Sequence, residues 1–116
     1  MNPYSYTNNQ PRFTLSLQQT TSRWRRYAVD FPTVHPTRHE ENNTVQGEYY
    51  QPSQADKAPL VILSHGMGDE LLIPGKILAR ALAREGIASF VIYSVFHSKR
   101  MPEIVRKRLP VLTPEE

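Results

Sequence analysis

The sequence lacks several residue types and patterns, and each lack excludes a class of function. It contains no cysteine, which excludes disulfide bonds, thiol catalysis and thiolate metal sites. No apolar run approaches the roughly 20 residues that span a bilayer, and the N-terminus has neither the basic start nor the apolar stretch of a secretory signal. We therefore expect a soluble, cytoplasmic protein without a membrane partner.

Charge and length narrow the possibilities further. The net charge of +3 is too small to indicate nucleic-acid binding, and 116 residues suffice for one modest domain. Asn, Gln, Thr and Ser dominate the first 22 residues, a composition typical of weakly ordered segments. We predict a flexible leader over residues 1–22 and a folded domain over residues 23–116.

Two segments of alternating polarity follow the leader. In WRRYAVDF (24–31), the side chains of Tyr27, Val29 and Phe31 fall on one side of an extended chain. TVQGEYYQP (44–52) alternates in the same way. Such alternation predicts half-buried strands, and the connecting loop suggests that they pair antiparallel.

The second half of the chain predicts a β-α-β unit. Residues 59–63 and 88–96 are mostly apolar without alternation, which is typical of strands in a parallel sheet. Between them lies a helical pattern with Pro74 in its first turn and Gly86 just beyond its end. We expect the helix to face the sheet with its large apolar stripe, which comprises Ile77, Leu78, Ala81 and Leu82.

The segment SHGMGDE (64–70) connects the first apolar strand to the helix and invites three ligand interpretations. A dinucleotide fingerprint fails because Leu71 occupies the position of the third glycine, and a P-loop fails because Gly75-Lys76 lacks both the upstream glycine and the following hydroxyl. The third is an oxyanion hole, in which bare backbone N–H groups stabilise developing negative charge. A plain strand-to-helix turn remains the alternative.

The order of elements resembles the front of the α/β-hydrolase fold, in particular dienelactone-hydrolase-like serine esterases. SHGMGDE (64–70) matches the HG motif of that family's oxyanion loop. GEYYQP (47–52) resembles the segment before the third strand, and ALAREGIASFVIYSVFH (81–97) resembles the fourth strand with its preceding helix end. The resemblance covers roughly residues 25–112.

This resemblance implies roles for the residues of the loop. The backbone N–H of Met67 is the oxyanion donor, and His65, Gly66 and Gly68 shape the loop, with His65 orienting it rather than acting as the base. The substrate would be a small molecule with a carboxylic ester or related acyl bond. No cofactor or metal is implied. Ser64 cannot pair with His65, because adjacent strand residues point to opposite faces.

The family's nucleophile lies on a G-x-S-x-G elbow, which this sequence does not contain. No nucleophile, acid or base is therefore expected in this chain, which should be inactive alone. A helix-start signal at Thr113-Pro114, together with the open edge that residues 60–64 would leave, predicts that these residues are the N-terminal part of something larger or need a partner to complete the sheet. With the resemblance, this implies the N-terminal part of an α/β-hydrolase-type sheet that is incomplete. The sequence does not indicate an oligomeric state.

Two other readings rest on basic residues and histidines. A small non-enzymatic α/β binding module is the alternative function. It would engage an acidic partner or RNA through a basic segment over residues 99–108, which contains Lys99, Arg100, Arg106, Lys107 and Arg108. His35 and His39 have the spacing of metal ligands on a helix, but Pro36 predicts a loop instead.

Overall fold

The secondary structure follows the alternation and punctuation of the sequence. The computed structural model describes residues 12–54, 57–66, 72–94, 100 and 103. In chain order these form β1 (Thr14–Thr20), β2 (Trp24–Pro32), a 3-10 helix (Glu40–Asn43), β3 (Thr44–Pro52), β4 (Leu60–Leu63), α1 (Ile73–Arg84) and β5 (Ala88–Ile92). The predicted strands and the helix between them are confirmed, except that the strand predicted over 88–96 ends at Ile92. The helix start predicted at Thr113-Pro114 lies outside the described residues.

The strands form a single mixed sheet in the order β1-β2-β3-β5-β4. β2 pairs antiparallel with β3, and β3 pairs antiparallel with β5, whereas β4 pairs parallel with β5. The antiparallel pair and the β-α-β unit are therefore both confirmed. Because β5 inserts between β3 and β4, β4 lies at the end of the sheet.

β1 corrects the prediction of a flexible leader. It pairs antiparallel with β2, from Thr14 opposite Asp30 to Thr20 opposite Arg25. The backbone hydrogen bonds to β2 order this polar segment, and the rings of Phe13 and Phe31 contact each other next to it at a tilt of 58°, with centroids 4.8 Å apart. Within the predicted leader, residues 1–11 lie outside the described residues.

Helix α1 covers one face of the sheet with its smallest side chains. Ala79 and Ala83 are 0% and 2% exposed, and they belong to the same buried cluster as Trp24, Tyr50 and Val91. The two aromatic rings meet edge to face with centroids 5.4 Å apart and fill the space between helix and strands. Alanines on the helix allow it to lie close to these rings.

This packing shows that the predicted apolar stripe is wrong. Ile77 and Leu78 are 61% and 47% exposed, Ala81 is exposed and Leu82 is only half-buried. The pattern of large apolar residues indicated the wrong face, because the aromatic residues of β2 and β3 already supply the volume of the core. The end of the helix is as predicted, since Gly86 adopts a φ of 80° just beyond it.

The opposite face of the sheet is apolar and exposed. Phe13, Leu15 and Leu17 are 57%, 57% and 55% exposed. A hollow of about 290 Å³ on this face is lined by Phe13, Leu15, Val29, Tyr49, Leu60 and Phe90. We call this surface the open face. It continues onto β4, where Ile62 is 65% exposed.

Candidate functional site

The candidate site lies where the parallel strands β4 and β5 end. Residues 64–66 follow β4, and residues 93–94 follow β5. Because the two strands are parallel neighbours, both segments emerge at the same edge of the sheet. In α/β sheets, ligands bind beyond the carboxyl ends of the strands.

His65 links the two segments through both of its ring nitrogens. The backbone N–H of Ser94 donates to Nε2 at 3.0 Å, and Nδ1 lies 2.8 Å from the carbonyl oxygen of Gly66. Since a backbone N–H can only donate and a carbonyl can only accept, Nε2 must be bare and Nδ1 must carry the proton. These contacts require the neutral Nδ1–H tautomer of His65.

The half-buried imidazole therefore has a defined position. Each ring nitrogen bonds a backbone group, one on its own loop and one after β5. These two bonds join the loop after β4 to the backbone after β5.

Gly66 is exposed. Among the residues that the structure describes, a Cβ built on Gly66 would meet no atom within 4 Å, so packing against them does not require glycine at this position. The absence of a side chain leaves the loop backbone accessible to a ligand. Met67 and Gly68, the other predicted members of the loop, lie outside the described residues.

The far end of the loop enters α1 through an unusual backbone conformation. Leu72, the residue before the helix, has a φ of 55° and a ψ of 28°, which places a non-glycine residue in the left-handed region. Its side chain is fully buried at 0% exposure. A conformation of this kind costs about 1–3 kcal/mol, and such conformations tend to occur near functional loops. Burial of the leucine side chain offsets this cost.

Arg100 corrects the prediction of an exposed basic segment at this residue. It is only 5% exposed. Its Nη1 donates to the carbonyl oxygen of Tyr93 at 2.8 Å, and its Nη2 donates to that of Asn42 at 2.8 Å. Burial lowers the pKa of the guanidinium below its ordinary value. The other four basic residues of the segment lie outside the described residues.

A second polar cluster lies under α1, and the sequence analysis missed it. The carboxylate of Glu48 is 3.6 Å from Nη1 of Arg26 and 3.5 Å from Nζ of Lys76, and it accepts a hydrogen bond from the Tyr50 hydroxyl at 3.0 Å. Burial, with Glu48 adding to it, raises the pKa of Tyr50 to about 12. Burial likewise raises the pKa of Tyr93. Positions 26 and 48 point to the helix-covered face, which the strand alternation could have revealed.

The two other predicted features concern metals and membranes. Residues 33–39, with His35 and His39, form a loop as predicted, in which the Thr37 hydroxyl donates to the carbonyl of His39. Within the described part of the chain, no group of three or more His, Cys, Asp or Glu side chains is placed to hold a metal ion. Over the same residues, no helix has the length and apolar character to cross a membrane.

Comparison with solved structures gives a likeness of fold. No protein-family model matches the sequence, and no curated protein matches it significantly. The fold is similar to an acetyl xylan esterase from Paenibacillus sp. R4, with a TM-score of 0.58 and 18% sequence identity over 77% of this chain. At this identity the likeness concerns the fold alone, and the match spans 27% of the esterase's length.

Proposed function

We propose that this chain forms the N-terminal part of a serine-type α/β-hydrolase that cleaves carboxylic esters or related acyl bonds of small molecules. Its contribution is the oxyanion loop. The observation that carries the proposal is the bond from Nδ1 of His65 to the carbonyl oxygen of Gly66. That carbonyl belongs to the peptide unit whose nitrogen is the backbone N–H of Met67.

The planar peptide explains how His65 acts on the proposed donor. A trans peptide directs its N–H away from its C=O. An imidazole that holds the Gly66 carbonyl would therefore turn the N–H of the same peptide unit away from itself. Neither Gly66 nor Gly68 carries a side chain that would block an acyl group from this amide.

The chemistry requires a nucleophile from outside these residues. A serine hydroxyl attacks the acyl carbon while its proton passes to the base, and the carbonyl electron pair moves to the carbonyl oxygen. The Met67 N–H stabilises this oxyanion, which collapses as the bond to the alcohol oxygen breaks and that oxygen takes the proton from the base. Water then hydrolyses the acyl-serine and releases the acid. One such donor is worth about 10²–10³ in kcat. The sequence contains no G-x-S-x-G elbow, so we propose that further polypeptide supplies the nucleophile, acid and base.

Two exposed surfaces support the need for further polypeptide. β4 lies at the end of the sheet, and Leu60 and Ile62 on it are 56% and 65% exposed. An exposed apolar edge strand is a template for aggregation unless it is paired or covered. The open face carries large apolar side chains as well, and the matched esterase is considerably longer than this chain.

The alternative of a binding module for RNA or an acidic partner has less support. It depends on a basic segment that includes Arg100, and the guanidinium of Arg100 is buried and bonded to two backbone carbonyls. A cation in this position cannot contact phosphate on a partner.

A serine-reactive fluorophosphonate probe and 4-nitrophenyl acetate test the proposal together. We expect the isolated 116-residue chain to remain unlabelled and to leave the ester intact. The polypeptide or complex that carries this chain in its native host should be labelled at one serine and should hydrolyse the ester. Absence of labelling in the native species, or turnover by the isolated chain, would contradict the proposal.

A further inference from the structure

The hydrogen bonds at the site form a continuous series that begins at a buried cation. Arg100 Nη1 donates to the oxygen of Tyr93, and the same peptide unit carries the N–H of Ser94. That N–H donates to Nε2 of His65, whose Nδ1–H donates to the oxygen of Gly66. Each link is 2.8–3.0 Å long.

The direction of donation is the same at every link. A guanidinium bound to a carbonyl oxygen draws electron density toward that oxygen and makes the N–H of the same peptide a stronger donor. The Ser94 N–H then polarises the imidazole, so that Nδ1–H becomes a stronger donor to Gly66. The positive charge lies at one end of the series, and the peptide unit of the proposed oxyanion donor lies at the other.

The second bond of Arg100 fixes the start of the series. Nη2 donates to the carbonyl oxygen of Asn42, which belongs to the 3-10 helix before β3. The planar guanidinium therefore bridges the backbone carbonyls of Tyr93 and Asn42, and Asn42 lies 58 positions from Arg100 in the sequence. The guanidinium of arginine can form this bridge because its N–H donors are arranged in a rigid, planar fork. The ammonium of lysine does not have this arrangement of donors.

We infer that Arg100 is a positioning residue for the oxyanion loop, because it orients and polarises the 93–94 peptide and thereby holds His65 in its Nδ1–H tautomer. This inference rests on the proposed function for its catalytic meaning. The tautomer itself is a property of the folded protein and is measurable without any turnover.

The test uses long-range proton–nitrogen correlation spectra of ¹⁵N-histidine-labelled protein, in the polypeptide that the native host makes. In the wild type, we expect the His65 proton on Nδ1 and a bare Nε2. Two variants remove different properties of the guanidinium. Arg100→Lys keeps the positive charge and loses the paired N–H donors, and Arg100→Gln keeps an N–H donor and loses the charge. Both should move His65 toward the Nε2–H tautomer. Arg84→Met, at an exposed arginine of α1, should leave the spectrum unchanged.

Kinetics add a second readout in the ester-hydrolysing form. We expect kcat to fall by about tenfold in both Arg100 variants with little change in KM. The reason is that a misplaced oxyanion donor stabilises the transition state less, whereas substrate binding does not depend on it. Arg100→Lys retains charge and aliphatic stem, which protects the fold. A wild-type His65 protonated on Nε2 would overturn the inference even without variants. Unchanged tautomers in both folded variants would overturn it too. A correct tautomer response in a protein without a reactive serine would instead refute only the proposed function.

Discussion

Replacing Gly47 with alanine tests how tightly β3 and β5 pack. The added Cβ would lie 2.4 Å from the carbonyl oxygen of Val91 and 2.6 Å and 2.8 Å from two ring atoms of Phe90. Favourable carbon contacts begin near 3.5 Å, and the Val91 oxygen is backbone that cannot rotate away. Overpacking costs about 1–3 kcal/mol, and a clash with backbone belongs at the upper end. The stiffer unfolded chain returns about 0.4–1 kcal/mol, which leaves a net loss of about 2 kcal/mol.

Urea unfolding followed by the fluorescence of Trp24, the single tryptophan, measures this loss. With a slope of about 1–1.5 kcal/mol per molar urea, the midpoint should fall by about 1.5 M. Gly66→Ala is the matched control, because its Cβ would meet no atom of the described residues within 4 Å, and the free energy of unfolding should change by less than about 0.5 kcal/mol. Equal midpoints for the two variants would refute the close packing of β3 against β5.

Three further changes test the polar cluster, the helix face and the exposed edge. Burial and Glu48 raise the pKa of Tyr50 to about 12 in the folded protein, so as the pH rises the Tyr50 hydroxyl ionises first in the unfolded chain. The free energy of unfolding should therefore be highest below pH 10 and fall by about 2–3 kcal/mol between pH 10 and 12. Unfolding at each pH checks this, and Tyr50→Phe should flatten that slope. Ala79→Leu should cost about 1–3 kcal/mol in thermal unfolding, since it inserts volume into a filled core, whereas the exposed Ala81→Leu should change stability by less than about 0.5 kcal/mol; equal effects would contradict the packing of α1. Ile62→Lys should reduce aggregation in light scattering at nearly constant stability, and unchanged aggregation would contradict the exposure of β4.

The strands were predictable because their patterns are local. The alternation in β2 and β3, the apolar runs of β4 and β5, and the punctuation by Pro74 and Gly86 each reflect backbone geometry that a short segment determines. β1 carries the same signal in Leu15 and Leu17. The polar composition around these residues concealed it, because pairing with β2 supplies order that composition does not record.

The helix orientation was not predictable from the helix alone. A stripe of large apolar residues ordinarily faces the core, but here the volume under the helix is filled by Trp24 and Tyr50 from the strands. Ala79 and Ala83 therefore face the sheet, and Ile77 is left exposed. Which face of a helix is buried depends on the size of its partners, and those partners lie far away in sequence.

The candidate site also combines local sequence features with contacts between residues that are distant in sequence. A histidine followed by glycines after a strand is a local feature, and the prediction of a site at His65 and Gly66 depends on it. The bond to Ser94 joins residues 29 positions apart, and the burial of Arg100 depends on Asn42, which lies 58 positions away. Such contacts depend on the order of the strands, which a local sequence pattern does not show. The pattern therefore grouped Arg100 with the basic residues next to it in the sequence.

The most direct measurement removes the proposed donor atom itself. Met67→Pro deletes the backbone N–H, and Met67→Leu retains it with a side chain of similar volume. In the ester-hydrolysing polypeptide that contains this chain, we predict that kcat falls by about 10²–10³-fold for Met67→Pro and stays close to wild type for Met67→Leu, with both variants folded by circular dichroism. Equal kcat values in the two folded variants would contradict an oxyanion role for this loop.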